Sequence, residues 1–366
     1  MDRPQHKLLG LEILRFVCAL AVVLYHYHHF AAFQGASGLH LAQYPLSGLL
    51  GPVYRWGQLG VQFFWMISGF VFFWKYGEVV AAHRIAPRKF FWLRFSRLYP
   101  LHLATLLIVA SLQPVHALLT GHDFVFGPNN ASQFALNLAM ATQWGTMAPM
   151  TFDGPFWSVS AEVLVYAIFF AVVWRFGSSI AMCAAVMLIG LGISVVAASP
   201  VAFCALMFFA GGLTALVFAE RGHRPAAPTV ALGLLLVAMA VIAAALLSGV
   251  DLAPRMLALG VGPQLMFLAA RDWRLFDRFA RPIEIAGNLT YSTYLCHFPM
   301  QLALAVVVAA TGIVLPLSSP VFLAAYVGGV LLVGYLVFER FERPAQDWIR
   351  AGMLRRAPSS SVTRPA

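Results

Sequence analysis

A guanidinium and an imidazole, Arg15 and His26, stand eleven residues apart inside a segment, Leu8 to Phe30, that is otherwise apolar. Eleven steps of about 100° return to within about 20° of the same helix face and rise about 16 Å, so both side chains line one stripe. An arginine at bilayer depth costs about 2.5 to 3.5 kcal/mol on insertion scales, and such residues face a protein interior or a watery cavity. A histidine becomes a general base when a carboxylate orients its ring and stabilises the imidazolium. Glu162 is the candidate carboxylate. Counted from the ends of their segments, His26 lies about 6 Å and Glu162 about 7 Å inside the same surface, which predicts a His26–Glu162 pair. The same spacing also suits a buried polar pair that only joins two helices.

Asn288, Tyr291, Ser292, Tyr294 and His297 form a second polar run, closed by Pro299. Tyr291, Tyr294 and His297 recur at three-residue intervals and drift slowly around one helix face, so they can share a cavity. Pro299 frees a backbone carbonyl one turn earlier and favours a kink there. Arg94 and Arg97, one turn apart, offer two guanidinium forks suited to phosphate, although topology alone also puts basic residues at inner helix ends. Glu12, three residues before Arg15, can neutralise it across one turn. Cys18, Cys183, Cys204 and Cys296 all fall in apolar segments without metal-type spacing, so neither a disulfide framework nor a metal site is expected.

The elements that must position these residues are transmembrane helices. The chain is 61% hydrophobic and 10% charged, with mean hydropathy +0.79, which is too little polar surface to cover a soluble globule. Windows of about 20 apolar residues give ten spans, near 8–30, 57–76, 97–119, 157–175, 178–196, 200–219, 229–248, 253–270, 286–311 and 319–339. The fold class is therefore an all-α polytopic bundle. With an even number of spans and a cytoplasmic N-terminus, every Lys and Arg except Arg55 and Arg255 falls on the inner side, so both termini are expected in the cytoplasm. The net charge of +10 is topological and does not point to nucleic acid. The basic start followed by a long run that Arg15 and His26 interrupt reads as a retained anchor, not a cleaved signal. Two connections exceed a turn, a basic one near 75–97 and an acidic one near 120–156, and loops of that length are commonly functional. Residues 1–345 read as one membrane domain, and 346–366 as a disordered cytoplasmic tail. No inverted repeat of the kind found in many transporters is visible.

Six blocks in order resemble a known family. Leu11 to Arg15, ten residues and then His26 is similar to the Arg-x10-His signature of the acyltransferase family 3, integral membrane enzymes that O-acylate bacterial surface and exported carbohydrates. Gly60 to Phe70 resembles its Gly-Val-x-x-Phe-Phe-x-x-Ser-Gly-Phe block, and Arg94, Arg97 and Pro100 its Arg-x-x-Arg-x-x-Pro element. Trp157 to Glu162 is similar to its Trp-Ser-x-x-x-Glu, Tyr291 to Pro299 to its Tyr-Ser-x-Tyr-x-x-His-x-Pro, and Glu342 to Pro344 to its Glu-x-Pro. The resemblance implies an acyl-CoA donor, most commonly acetyl-CoA, presented from the cytoplasm of a bacterium, and a carbohydrate or glycoconjugate acceptor at the outer face of the inner membrane. His26, Arg15, Glu162 and His297 are then the catalytic candidates. Arg94 and Arg97 are the donor ligands, and Tyr291, Tyr294, Trp157 and Ser160 the substrate contacts. Direct transfer and an acyl-histidine intermediate both fit. A multi-pass transporter or flippase, with Arg, His and Glu carrying protons or solute, is the rival expectation.

Overall fold

Apolar runs end where proline, glycine and small hydroxyl residues punctuate them, and those boundaries recur in the computed structural model, which describes residues 8–34, 40–145, 147–247 and 254–355. The elements in chain order are α1 (Leu9–Tyr25), continued by a tighter 3-10 stretch His26–Gln34, then α2 (Ser47–Trp56), α3 (Leu59–Phe72), α4 (Glu78–Ala81) and α5 (Pro87–Thr120). They continue with α6 (Ala131–Leu138), α7 (Trp157–Phe176), α8 (Ile180–Ala197), α9 (Pro200–Arg221), α10 (Ala227–Leu247), α11 (Pro254–Ala269) and α12 (Arg274–Asp277). The last are α13 (Ala280–Thr311), α14 (Pro320–Val337) and α15 (Arg343–Arg355). No strand occurs among the described residues. Ser179, Ser199 and Ser319 cap α8, α9 and α14 by accepting the backbone N–H three residues on, the usual way to satisfy first-turn donors. Pro200 and Pro320 follow two of those caps, at a position that needs no N–H. Gly121, at φ +86°, ends α5. Two π-helical turns, Phe73–Gly77 after α3 and Phe338–Glu342 after α14, widen the helices at one end of the bundle.

Seven helices among the described residues are long and apolar enough to cross a membrane, or eight if α2 and α3, bent by 59°, form one broken span. This is a multi-pass membrane protein. The count is lower than the ten spans expected. The two remaining expected spans fall on α10 and α11, on either side of residues 248–253, which lie outside the described set. The expectation of a disordered tail from residue 346 does not hold either. The chain leaves the second π turn as α15, whose Gln346 and Arg350 pack back on the bundle. Residues 356–366 of that expected tail, and the charged start 1–7, lie outside the described residues.

α3 and α9 touch backbone to backbone at the centre. A side chain on Gly69 would meet the Phe208 carbonyl, and one on Gly211 the Met66 carbonyl. Trp65, Phe70, Phe72, Phe208 and Phe209 fill the space around this contact. The segment between α5 and α7 does not stand off as a free loop. Phe124 stacks on Phe298 of α13, Phe126 packs against the same ring, and Phe156 stacks on His102 of α5. Gln113 of α5 holds Phe124 by both its backbone N–H and its carbonyl. The acidic connection is thus tucked into the bundle, and α7 begins below it. The end that carries Lys75, Arg84, Arg88, Lys89 and Arg94 is called here the basic end. The opposite end, with His26 and His297, is the histidine end.

Candidate active site

A cavity of about 370 Å³ opens between α1, α3, α5, α7, α13 and α15, within the size range of small-molecule sites. Five cations line it, Arg15, Lys75, Arg94, Arg97 and Arg350, against two carboxylates, Glu12 and Glu162. Each carboxylate is already engaged. Glu12 accepts from Arg15 Nη1 at 3.0 Å and has room to do so because α13 carries Gly287 where a larger residue would meet its carboxylate. Glu162 accepts from the Tyr166 hydroxyl at 2.8 Å, between the fields of Arg15 and Arg94.

Arg94 and Arg97 both line the cavity but differ in state. Arg97 is ion-paired with the buried Glu342. Arg94 donates only to the Tyr76 hydroxyl, at 2.9 Å, and rests its guanidinium over the rings of Phe72 and Tyr76 at 5.0 and 5.2 Å. Cation–π contacts of this kind hold a guanidinium in place without neutralising it.

The histidine end holds a separate cluster. His26 Nδ1 lies 2.9 Å from the Val22 carbonyl and 3.2 Å from His297 Nε2. A carbonyl oxygen only accepts, so His26 Nδ1 carries the proton. By the same logic His297 Nδ1, facing the Tyr294 carbonyl, is protonated, and its Nε2 accepts from His26. His29 Nδ1 donates to Gln301 Oε1 at 2.9 Å, while Gln301 Nε2 donates to the His26 carbonyl at 2.9 Å. His26 is therefore held in one tautomer, with Nε2 as its free lone pair.

The expected His26–Glu162 pair does not form. His297 takes the place beside His26 that the sequence assigned to Glu162. The reason is depth. Ser158 bonds the Tyr294 hydroxyl at 2.8 Å, so Ser158 and Tyr294 share a level. Glu162 lies one turn further along α7, towards the basic end, and His297 one turn further along α13, towards the histidine end, which separates them by about 10 Å. Counting from Trp157 as though it stood at the membrane surface ignored the tucked segment above it. Trp157 and Ser160 do not line the cavity. Trp157 packs on Trp65 at 5.6 Å, and the Ser160 hydroxyl donates to the Met140 carbonyl at 2.9 Å and accepts from Gln143 N. Ser158 lines it instead, with Tyr291 and Tyr294, while His297, expected to share the cavity with the two tyrosines, does not.

Tyr294 is the hinge between the two regions. Its hydroxyl donates to the Pro155 carbonyl at 2.6 Å and accepts from Ser158, while its ring lies 5.9 Å from that of His297. The cavity ends there, one turn from the histidine pair. Among the described residues no group of three or more His, Cys, Asp or Glu is arranged to hold a metal ion.

A model of an acyltransferase domain, acyltransferase family 3, matches residues 8–339. The chain belongs to this family. Comparison with curated proteins and with solved structures found no match. The match covers the histidine cluster and all of the cavity's lining except Gln346 and Arg350, so the protein is a membrane acyltransferase with a cationic void and an imidazole pair at successive depths. Sequence reading missed four residues of the candidate site. Gln301 follows His297 by one turn, and His29 follows His26 by three residues, so the pattern in α13 and after α1 held a signal for both. Lys75 was visible only as part of a basic connection. Arg350 carried no signal, because a charged residue eleven positions past an apolar span looks like solvated tail.

Proposed function

We propose that this chain is an O-acyltransferase that takes an acyl group, acetyl in the first instance, from acyl-CoA at the basic end and delivers it to a hydroxyl of a carbohydrate or glycoconjugate at the histidine end. The observation that carries the reading is a cavity that is cationic at one end and stops at the other against Tyr294, one turn from a histidine held in a single tautomer. Basic residues gather in the cytoplasm in membrane proteins, which sets the basic end inward in the cytoplasmic membrane of a bacterium and gives a soluble coenzyme thioester access to Arg94. The phosphates stay there, and the thin arm lies along the void past Arg15 and Glu162.

In the transfer step His26 Nε2 accepts the proton of the acceptor hydroxyl as its oxygen bonds to the thioester carbonyl carbon. The carbon–sulfur bond then breaks, and the imidazolium returns its proton to the leaving thiolate. His297 Nε2 holds His26 Nδ1–H throughout and stabilises the imidazolium as an acceptor, the part a carboxylate plays in a triad. Arg15, about 16 Å along α1 from His26 and paired with Glu12, lines the void beside the donor's arm.

The test is thiol release from acetyl-CoA by the purified protein, with and without an extract of surface glycans. Wild type is expected to release thiol only with the extract, His26→Ala to fall by about 100-fold or more, and His297→Ala to lower kcat while leaving KM for the donor unchanged. Full activity in His26→Ala, at normal protein levels, would overturn the mechanism. Failure of wild type to bind or consume any acyl-CoA would overturn the reading as a whole.

A further inference from the structure

The match to the family model ends at residue 339, yet the cavity does not. Gln346 and Arg350, from α15, line its mouth together with Lys75, Arg94 and Arg97. α15 continues α14 through the π turn and is pinned to α5 by the Arg97–Glu342 ion pair. That pin fixes the order of the cations. Arg94 lies one turn, about 4.5 Å, towards the basic end from Arg97, and Arg350, eight residues beyond Glu342, lies about 12 Å in the same direction. Among the described residues, no carboxylate lies within ion-pairing distance of Lys75, Arg94 or Arg350. Arg350 Nε is buried with no hydrogen-bond partner. An unpaired guanidinium nitrogen shut away from water is costly unless a ligand completes it.

Two guanidinium groups that no described carboxylate ion-pairs, on separate helices and offset by about 7 to 8 Å of helix rise along one channel, suit a ligand with two separated anionic groups. Resting on the acyl-CoA reading above, we propose that α15 is part of the donor site: Arg94, with Lys75 beside it, takes the pyrophosphate, and Arg350, nearer the cytoplasm, takes the phosphate on the ribose 3′ oxygen. Gln346, one turn above Arg350 on the same face, spans the interval with a neutral donor and acceptor. The coenzyme is thereby told apart from donors that lack the 3′-phosphate by a helix that follows the matched residues.

The experiment compares acetyl-CoA with acetyl-3′-dephospho-CoA in full-length wild type, Arg350→Ala, Arg350→Lys and Arg94→Ala. Within one variant the ratio of the two KM values does not depend on how much protein is folded. Wild type is expected to prefer acetyl-CoA by about tenfold, the effect of one charge-assisted phosphate contact. Arg350→Ala should abolish that preference, Arg350→Lys should restore part of it, and Arg94→Ala should weaken both donors alike. A preference that survives in Arg350→Ala, or losses in that variant that are equal for both donors, as a lipid-phosphate contact or a purely structural role would give, would overturn the assignment and leave the acyl-CoA reading standing. Wild type that binds neither thioester would overturn both.

Discussion

Asp153 is 1% exposed, and neither of its carboxylate oxygens has a hydrogen-bond partner. The Thr105 hydroxyl beside it donates instead to the His102 carbonyl at 3.1 Å. Burial pushes this carboxyl up to about 7, whereas an aspartate in an unfolded chain titrates near about 3.9. Between those values the folded protein holds a proton that the unfolded chain has released. Stability therefore falls as pH rises through this window and levels off above about 7. Asp153→Asn cannot ionise, so its thermal midpoint in detergent should fall less than that of wild type between about pH 5 and about pH 8. Parallel curves for the two proteins would show that Asp153 does not titrate in that range. The sequence placed Asp153 in a long acidic connection, because nothing in its neighbours' hydropathy announces that Phe124, Phe152 and Phe156 carry the segment inward. The same blind spot misplaced Glu162 relative to His26. Residue types were legible at both sites, and depth was not, since depth depends on where the chain enters the bundle and not on distance along it.

At the scale of elements, the legible part was the run of apolar helices and their ends, because proline, glycine and serine act locally. The illegible part was contact between helices. α3 and α9 read as two similar apolar stretches, and only their packing shows that Gly69 and Gly211 are the positions where backbones meet. Gly69→Val should accordingly destabilise the fold by about 1–3 kcal/mol through overpacking. Gly192→Ala in α8, where a side chain enters open space, should be neutral or stabilising by up to about 1 kcal/mol. Thermal unfolding of the two variants side by side checks this, and equal effects would remove the argument for close approach. α15 was hidden for a related reason. Its apolar content is too low for a membrane window, and its place in the site comes from the Arg97–Glu342 pair, which joins residues 245 positions apart.

For the whole molecule, the proposed orientation makes a distinct expectation testable because all four cysteines, Cys18, Cys183, Cys204 and Cys296, are buried. A new cysteine on the surface should report without background. Val314→Cys, 79% exposed at the histidine end, is expected to react with a membrane-impermeant maleimide on intact cells. His223→Cys, exposed at the basic end, should react only after lysis. The reverse pattern would invert the protein in its membrane and, with it, the side from which the donor arrives. The π turn at Phe338–Glu342 adds a consequence of another kind. One residue removed from it would rotate everything that follows by about 100°. Asp347 and Ala351 would then stand where Gln346 and Arg350 now line the void. A cation would leave the mouth and an anion enter it, so the loss of a single codon would reverse the local field without altering any residue that touches the cavity from the family domain.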